Sequence, residues 1–320
     1  MNKSQQLLLA AVLSQAALLP LSGSASAVPS HARAQAQSQT SAQLQAQPPG
    51  HAECLSMPSR ILAHNVAYCV LLPASYDSEK SRKYPVLYFL HGLGENEQAL
   101  AGSGAMNIVD DLREQHRLGD FLIVTPDGGR SFYVNSRDGK IRYEDFLLQE
   151  FIPFIEKRYR IQAGRSTRGI AGVSMGGYGA FHTALQHPEL FGSVSAHSAM
   201  LFAGAPGSEV SGTQGIILGR ILGGAFGNPL DIAFWDRNSP VTMVRESNNA
   251  AKLKIYFDCG AQDDFGFNVG AQKLNDLLVA RKIPHEFHIY PGGHNADYVA
   301  EHLGASLQFE SRAFGLGPPK

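Results

Sequence analysis

One stretch limits the architecture of this chain more than any other: Arg168-Gly169-Ile170-Ala171-Gly172-Val173-Ser174-Met175-Gly176-Gly177-Tyr178-Gly179-Ala180. It opens as a short apolar run, breaks at a glycine-spaced serine and continues with helical periodicity, which predicts a strand, a sharp turn and a helix. Gly172-Val173-Ser174-Met175-Gly176 fits G-x-S-x-G, a turn that strains the serine backbone and places glycines where side chains would collide. Ser174 would then stand at a helix N-terminus, where free backbone N–H groups and the helix dipole favour a developing oxyanion. With 33 glycines in the chain, the bare pattern arises by chance about 0.3 times. Its meaning therefore depends on partners elsewhere; without them it is the glycine-rich turn of any α/β protein.

The 320 residues are 44% hydrophobic and 17% charged, with a formal net charge of −1. That is the balance of an ordinary globular chain with ample core. The lack of basic runs argues against nucleic acid or an anionic membrane surface as partner. At the N-terminus, Lys3 precedes an apolar run over 7–21, interrupted by Ser14, Gln15 and Pro20, and Ala25-Ser26-Ala27 matches an A-x-A cleavage site. Residues 1–27 are expected to be a signal peptide and the protein to be exported, periplasmic or secreted. The run is too short and broken for a transmembrane helix, so no integral membrane span is expected after cleavage. Residues 28–51, rich in Gln, Ala and Ser and carrying Pro48-Pro49-Gly50, lack apolar periodicity and read as a disordered leader. The remainder, 52–320, shows no internal repeat or second linker and reads as a single domain.

Cys54 and Cys69 fall in a β-rich segment over 51–72, where two antiparallel strands would bring them together as a disulfide; the alternative is two buried free thiols. Cys259 is left over. No Cys or His cluster has metal-ligand spacing, so neither a metal nor a cofactor is expected.

Tyr84-Pro85-Val86-Leu87-Tyr88-Phe89-Leu90 is a continuous apolar run, the mark of a strand buried on both faces of a parallel sheet. It ends in His91-Gly92-Leu93-Gly94, and α/β-hydrolases take one oxyanion donor from a loop so placed. The backbone N–H groups of Leu93 and Met175 are the candidate pair. His91 either orients that loop or contacts substrate. Residues 106–118 read as a helix, 121–126 as the next buried strand, and 143–159 as one long amphipathic helix containing Pro153. Between the last two lies Asp127-Gly128-Gly129-Arg130-Ser131-Phe132-Tyr133-Val134-Asn135, a loop on the side of an α/β sheet where ligands bind. Tyr133 and Asn135 are candidate substrate-lining residues, or else ordinary loop residues. After the elbow helix, a strand over 192–196 leads to His197-Ser198, and His197 is placed to approach the pocket. Residues 200–230 hold eight glycines with scattered Leu, Ile and Phe. Such a segment suits a mobile cap over an acyl pocket, or is an irregular insertion.

Two more strands supply the missing partners. Residues 252–258 open into Cys259-Gly260-Ala261-Gln262-Asp263-Asp264-Phe265, and 287–290 open into Pro291-Gly292-Gly293-His294-Asn295. A serine, a carboxylate and a histidine, in that order and each at the C-terminal end of a strand, follow the order of α/β-hydrolases. The expected fold is therefore α/β: a mostly parallel central sheet flanked by helices. His294 would take the Ser174 proton and return it to the leaving alcohol, while a carboxylate fixes its tautomer. Asp263 is preferred for that carboxylate over its neighbour Asp264, with Asp258 and Asp297 also in reach.

These pieces together resemble the esterase D-like branch of the α/β-hydrolases, which includes tributyrin esterases, S-formylglutathione hydrolases, feruloyl esterases and mycolyl transferases. The resemblance covers about residues 55–310 and is carried by the strand ending in His91-Gly92, Ser131-Phe132-Tyr133-Val134-Asn135, Tyr143-Glu144-Asp145-Phe146, the Ser174 elbow, Gly260 to Phe265, and Pro291-Gly292-Gly293-His294. The family's acid, three residues after the strand-end glycine, falls on Asp263. The resemblance implies hydrolysis of short-chain or aryl carboxylic esters, a small-molecule substrate. Export sets the chain apart from S-formylglutathione hydrolysis, which is cytosolic work, and the 200–230 segment has no counterpart in the family pattern. Two other readings share the scaffold: an acyltransferase with a sugar or polyol hydroxyl in place of water, and a non-catalytic binding protein.

Overall fold

Among the described residues, eight strands form one sheet: β1 (His51–Pro58), β2 (Asn65–Leu72), β3 (Val86–Leu90), β4 (Leu122–Pro126), β5 (Arg168–Val173), β6 (Ser193–His197), β7 (Lys254–Gly260) and β8 (Glu286–Tyr290). Their spatial order is β1-β2-β4-β3-β5-β6-β7-β8. From β4 to β8 every neighbouring pair is parallel, and the β1–β2 hairpin is added antiparallel at one edge. The computed structural model describes residues 49–206 and 212–317, the side chains of 212–218 excepted. The expected signal peptide and nearly all of the expected leader lie outside the described residues.

β3, β4 and β6 are buried along their whole length, which is why β3 and the start of β4 read as continuous apolar runs rather than alternating ones. Alternation appears instead in which layer each side chain joins. Tyr88 and Leu90 enter one core with Val124, Ile170, Phe181 and Trp235, whereas Leu87 and Phe89 enter a second core with Ile123, Ala171, Leu303 and Leu307. The sheet thus separates two apolar layers. Helix Met175–Gln186 lies in the first and helices Ala105–Glu114 and Ala296–Ala313 in the second.

In the hairpin, Cys54 stands opposite Cys69. Their Cα atoms are 4.1 Å apart and the two form a disulfide, as the two-strand reading of this segment anticipates. Cys259 is a buried free thiol.

Three elements differ from expectation. The helix expected over 106–118 spans Ala105–Glu114 and stops where His116 takes a positive φ of 55°, the left-handed conformation that ends many helices. The single helix expected over 143–159 is an α-turn at Tyr143–Phe146, a π-helical turn at Leu147–Phe151 and an α-helix at Ile152–Arg158. Pro153 is the cause: it has no N–H to donate, so the regular hydrogen-bond ladder cannot run through it. The glycine-rich 200–230 stretch contains a 15-residue helix, Gly212–Phe226. Its last residue, Phe226, packs 4.8 Å from Trp235 and 5.7 Å from Tyr178. The end of this segment is therefore part of the first core.

Candidate active site

Ser174 follows β5 directly and caps helix Met175–Gln186 with φ 54° and ψ −114°. A non-glycine residue in that region costs about 1–3 kcal/mol and persists only where its surroundings impose it. Here they do: the Ser174 N–H donates to the His197 carbonyl at 3.0 Å, and its own carbonyl accepts from the Tyr178 and Met200 amides at 3.0 Å each. The turn is so tight that a Cβ on Gly176 would lie 1.9 Å from the Leu90 carbonyl oxygen. That is the physical content of the glycine two residues after the serine.

β7 and β8 end side by side, and a Cβ on Gly260 would sit 2.4 Å from the Gly292 carbonyl oxygen. Backbone meets backbone there, which brings the two following loops together. His294 Nδ1 lies 2.7 Å from Asp263 Oδ2, and His294 Nε2 lies 2.9 Å from Ser174 Oγ. The other Asp263 oxygen accepts the amides of Phe265 and Phe267 at 3.0 and 3.2 Å. Burial opposes ionisation of Asp263, yet the hydrogen bond and charge of His294 and those two amides outweigh it and hold the carboxyl below the usual aspartate range. Asp264 turns the other way and accepts the His294 backbone N–H at 3.3 Å. The two adjacent carboxylates therefore divide the work of holding one residue, ring and backbone. Phe265 and Phe267 stand edge-on to the imidazole at 4.9 and 5.3 Å.

A cavity of about 280 Å³ opens at Ser174 and His294, walled mainly by Phe89, Leu100, Ile108, Val299 and Leu303. Leu93 and Ser198 also face it. The Gly92 N–H is engaged by Glu95 Oε2 at 2.7 Å. Met175 is the first residue of its helix, so its amide has no intrahelical acceptor.

The remaining candidates lie elsewhere. His91 is buried between the Gly92 carbonyl, 2.8 Å from Nδ1, and the Gly128 amide, which donates to Nε2 at 2.8 Å. It joins the loop after β3 to the loop after β4, the loop-orienting role. Tyr133 is fully buried, its hydroxyl donating to the His91 carbonyl at 3.1 Å. The expectation that it lines the cleft gives way to a packing role, because the loop folds its aromatic residues inward. Asn135 Oδ1 accepts the Asp145 amide at 3.2 Å and so steadies the start of helix Tyr143–Phe146. The His197 ring is buried between Asp258 and Ser306, while its backbone carbonyl holds Ser174. Glu95 escaped the sequence reading, although a carboxylate three residues after Gly92 is a local loop-capping signal.

Comparison with known proteins matches residues 59–309 to the family model described as "Putative esterase". Esterase Rv1288 of Mycobacterium tuberculosis is 30% identical over 243 residues, covering 70% of this chain and 51% of that protein; the chain thus spans about half the length of this relative. An acetyl esterase of Caldicellulosiruptor saccharolyticus is 26% identical, covering 79% of this chain and 96% of that protein. Among solved structures, a ferulic acid esterase superposes with a TM-score of 0.71 at 29% identity, covering 83% of this chain and 99% of the other. On fold, site-bearing strand ends and family match together, the chain belongs to the "Putative esterase" family of α/β-hydrolases.

Proposed function

We propose that the protein is an exported serine carboxylic ester hydrolase acting on short-chain or aryl esters through Ser174, His294 and Asp263. The observation that carries the reading is the continuous relay from Asp263 Oδ2 through the imidazole to Ser174 Oγ, with contacts of 2.7 and 2.9 Å. Ser174 Oγ attacks the ester carbonyl carbon while its proton passes to His294 Nε2. The Leu93 and Met175 amides receive the oxyanion. Gly92 cannot serve in place of Leu93, because its N–H is already committed to Glu95. Each donor is worth about 3 kcal/mol to the transition state. The tetrahedral intermediate expels the alcohol, which takes the proton from His294. Water then attacks the acyl carbon, giving its proton to His294, and the carboxylic acid leaves as Ser174 is reprotonated.

The cavity of about 280 Å³ lies just below the roughly 300–1,000 Å³ of small-molecule sites. Its apolar walls suit a short acyl chain or a single ring. The names of the relatives, acetyl esterase and ferulic acid esterase, point to the same size range. Export rests on the N-terminal pattern of residues 1–27 and is supported by the Cys54–Cys69 disulfide; no helix among the described residues is long and apolar enough to cross a membrane. The test is turnover of p-nitrophenyl acetate by the full chain. Loss of turnover in a folded Ser174→Ala variant is expected, and retained turnover would refute the reading.

A further inference from the structure

A second serine, histidine and aspartate are linked in the core beside the site. His197 Nε2 lies 2.7 Å from Ser306 Oγ, and His197 Nδ1 lies 2.8 Å from Asp258 Oδ2. All three are at most 2% exposed, so no ester reaches them and the set is not another nucleophilic centre. Its place in the fold suggests a different task. Asp258 sits on β7, the strand that leads to Asp263. It accepts the Tyr298 hydroxyl on Oδ1 at 2.8 Å and the Tyr256 hydroxyl on Oδ2 at 2.8 Å. Tyr298 belongs to the first turn of helix Ala296–Ala313, which begins directly after His294, and its N–H is capped by Asn295 Oδ1 at 2.9 Å. The Tyr298 ring lies against Gly292 in the loop carrying His294. On the opposite side, the His197 backbone carbonyl accepts the Ser174 amide, and the Asp258 carbonyl accepts the Ser198 amide at 2.8 Å.

Resting on the ester-hydrolase reading above, we propose that buried Asp258, through His197 and Tyr298, is a positioning residue that sets the His294 loop against the Ser174 turn. One carboxylate accepts hydroxyls from its own strand and from the helix after His294 and lies 2.8 Å from the His197 ring; β7 leads on to Asp263, the helix follows His294, and the His197 carbonyl holds the Ser174 amide. A buried ionic contact stabilises a fold little, because desolvation offsets most of the attraction; what several directed hydrogen bonds supply is fixed geometry. Burial disfavours the charge on Asp258, but His197, Tyr298 and Tyr256 together hold its carboxyl below the usual range, so it stays an acceptor for both hydroxyls.

The experiment compares two hydroxyl deletions in the full chain. Tyr298→Phe cuts the tie to the His294 helix and keeps the ring over Gly292. Tyr256→Phe removes a hydroxyl from the same carboxylate, but Tyr256 lies on β7 itself, so its bond to Asp258 stays within one strand. With p-nitrophenyl acetate, Tyr298→Phe is expected to lower kcat about tenfold with KM within about twofold, since small misplacements of reacting groups are costly, while Tyr256→Phe keeps kcat within about twofold. Asp258→Asn should lose more kcat than Tyr298→Phe; the single-hydroxyl variant decides if that protein does not fold. A folded Tyr298→Phe with unchanged kcat, or equal kcat losses in both tyrosine variants, overturns the proposal while leaving the hydrolase intact. A wild-type chain without turnover would instead remove the reading on which it rests.

Discussion

His294 Nε2 stands 2.9 Å from Ser174 Oγ, although 120 positions separate the two in the chain. Nothing local brings them together. The parallel sheet does so, by ending β5, β7 and β8 at the same rim. If the relay works as proposed, Asp263→Asn leaves serine and imidazole in place but loses the acceptor that selects the tautomer. Its kcat on p-nitrophenyl acetate should fall about 10⁴-fold, with KM much less changed. The paired substitution Asp264→Asn, which touches only the His294 backbone, should cost far less.

The same carboxylate carries a pH signature in stability. Asp263 is held below its unfolded value, about 3.9 for an aspartate. Its ionisation therefore adds stability that is present above that pH and is lost as pH falls through the folded value. Thermal unfolding followed from neutral pH to about pH 3 should show a shallower decline for Asp263→Asn than for the wild type. Parallel curves would contradict the shift.

Two glycines should respond in opposite ways to alanine. At Gly176 the new methyl would lie 1.9 Å from the Leu90 carbonyl oxygen, so Gly176→Ala should unfold the turn or displace it and abolish turnover. Gly219, inside helix Gly212–Phe226, has open space around its Cβ direction. Gly219→Ala should raise stability by up to about 1 kcal/mol, the difference in helix propensity. Denaturant titration of both variants checks the pair.

The disulfide closes a loop of 15 positions between Cys54 and Cys69. Loop-closure entropy of the unfolded chain sets its contribution near 3 kcal/mol. The double substitution Cys54→Ser, Cys69→Ser should lower the melting temperature without altering kcat, because the hairpin lies at the far edge of the sheet from β5, β7 and β8.

The cavity beside Ser174 is proposed to take the acyl chain, and that assignment sets a specificity pattern. Val299 is part of its wall, so Val299→Phe should fill it. Turnover of p-nitrophenyl acetate should be nearly retained and that of p-nitrophenyl hexanoate lowered about tenfold or more, the scale of a few methylenes in an apolar pocket. Equal effects on both esters would place the acyl chain elsewhere.

Much of this was legible because it was local. The elbow shows in five residues, the core strands in unbroken apolar runs, and the disulfide in two cysteines on facing strands. Spacing after Gly260 favours Asp263 over Asp264, but it does not show that one carboxylate reaches the His294 ring and the other its backbone. That difference appears only once β7 and β8 have fixed the two loops. The inward turns of Tyr133 and His197 were hidden for the same reason. A polar or aromatic residue after a strand suits a cleft or a loop brace equally well until tertiary packing assigns its partners. Pro153 is a visible breaker inside the stretch read as one helix over 143–159, and its effect extends backward into a π turn that no local pattern marks.

Ser174 is proposed as a nucleophile activated by His294. The most direct test is intact-mass analysis of the full chain after exposure to a fluorophosphonate, with peptide mapping. One adduct is expected, on Ser174, forming rapidly in the wild type, slowly in His294→Ala, and not at all in Ser174→Ala. Absence of the adduct in folded wild-type protein, or labelling unaffected by loss of His294, would contradict that activation.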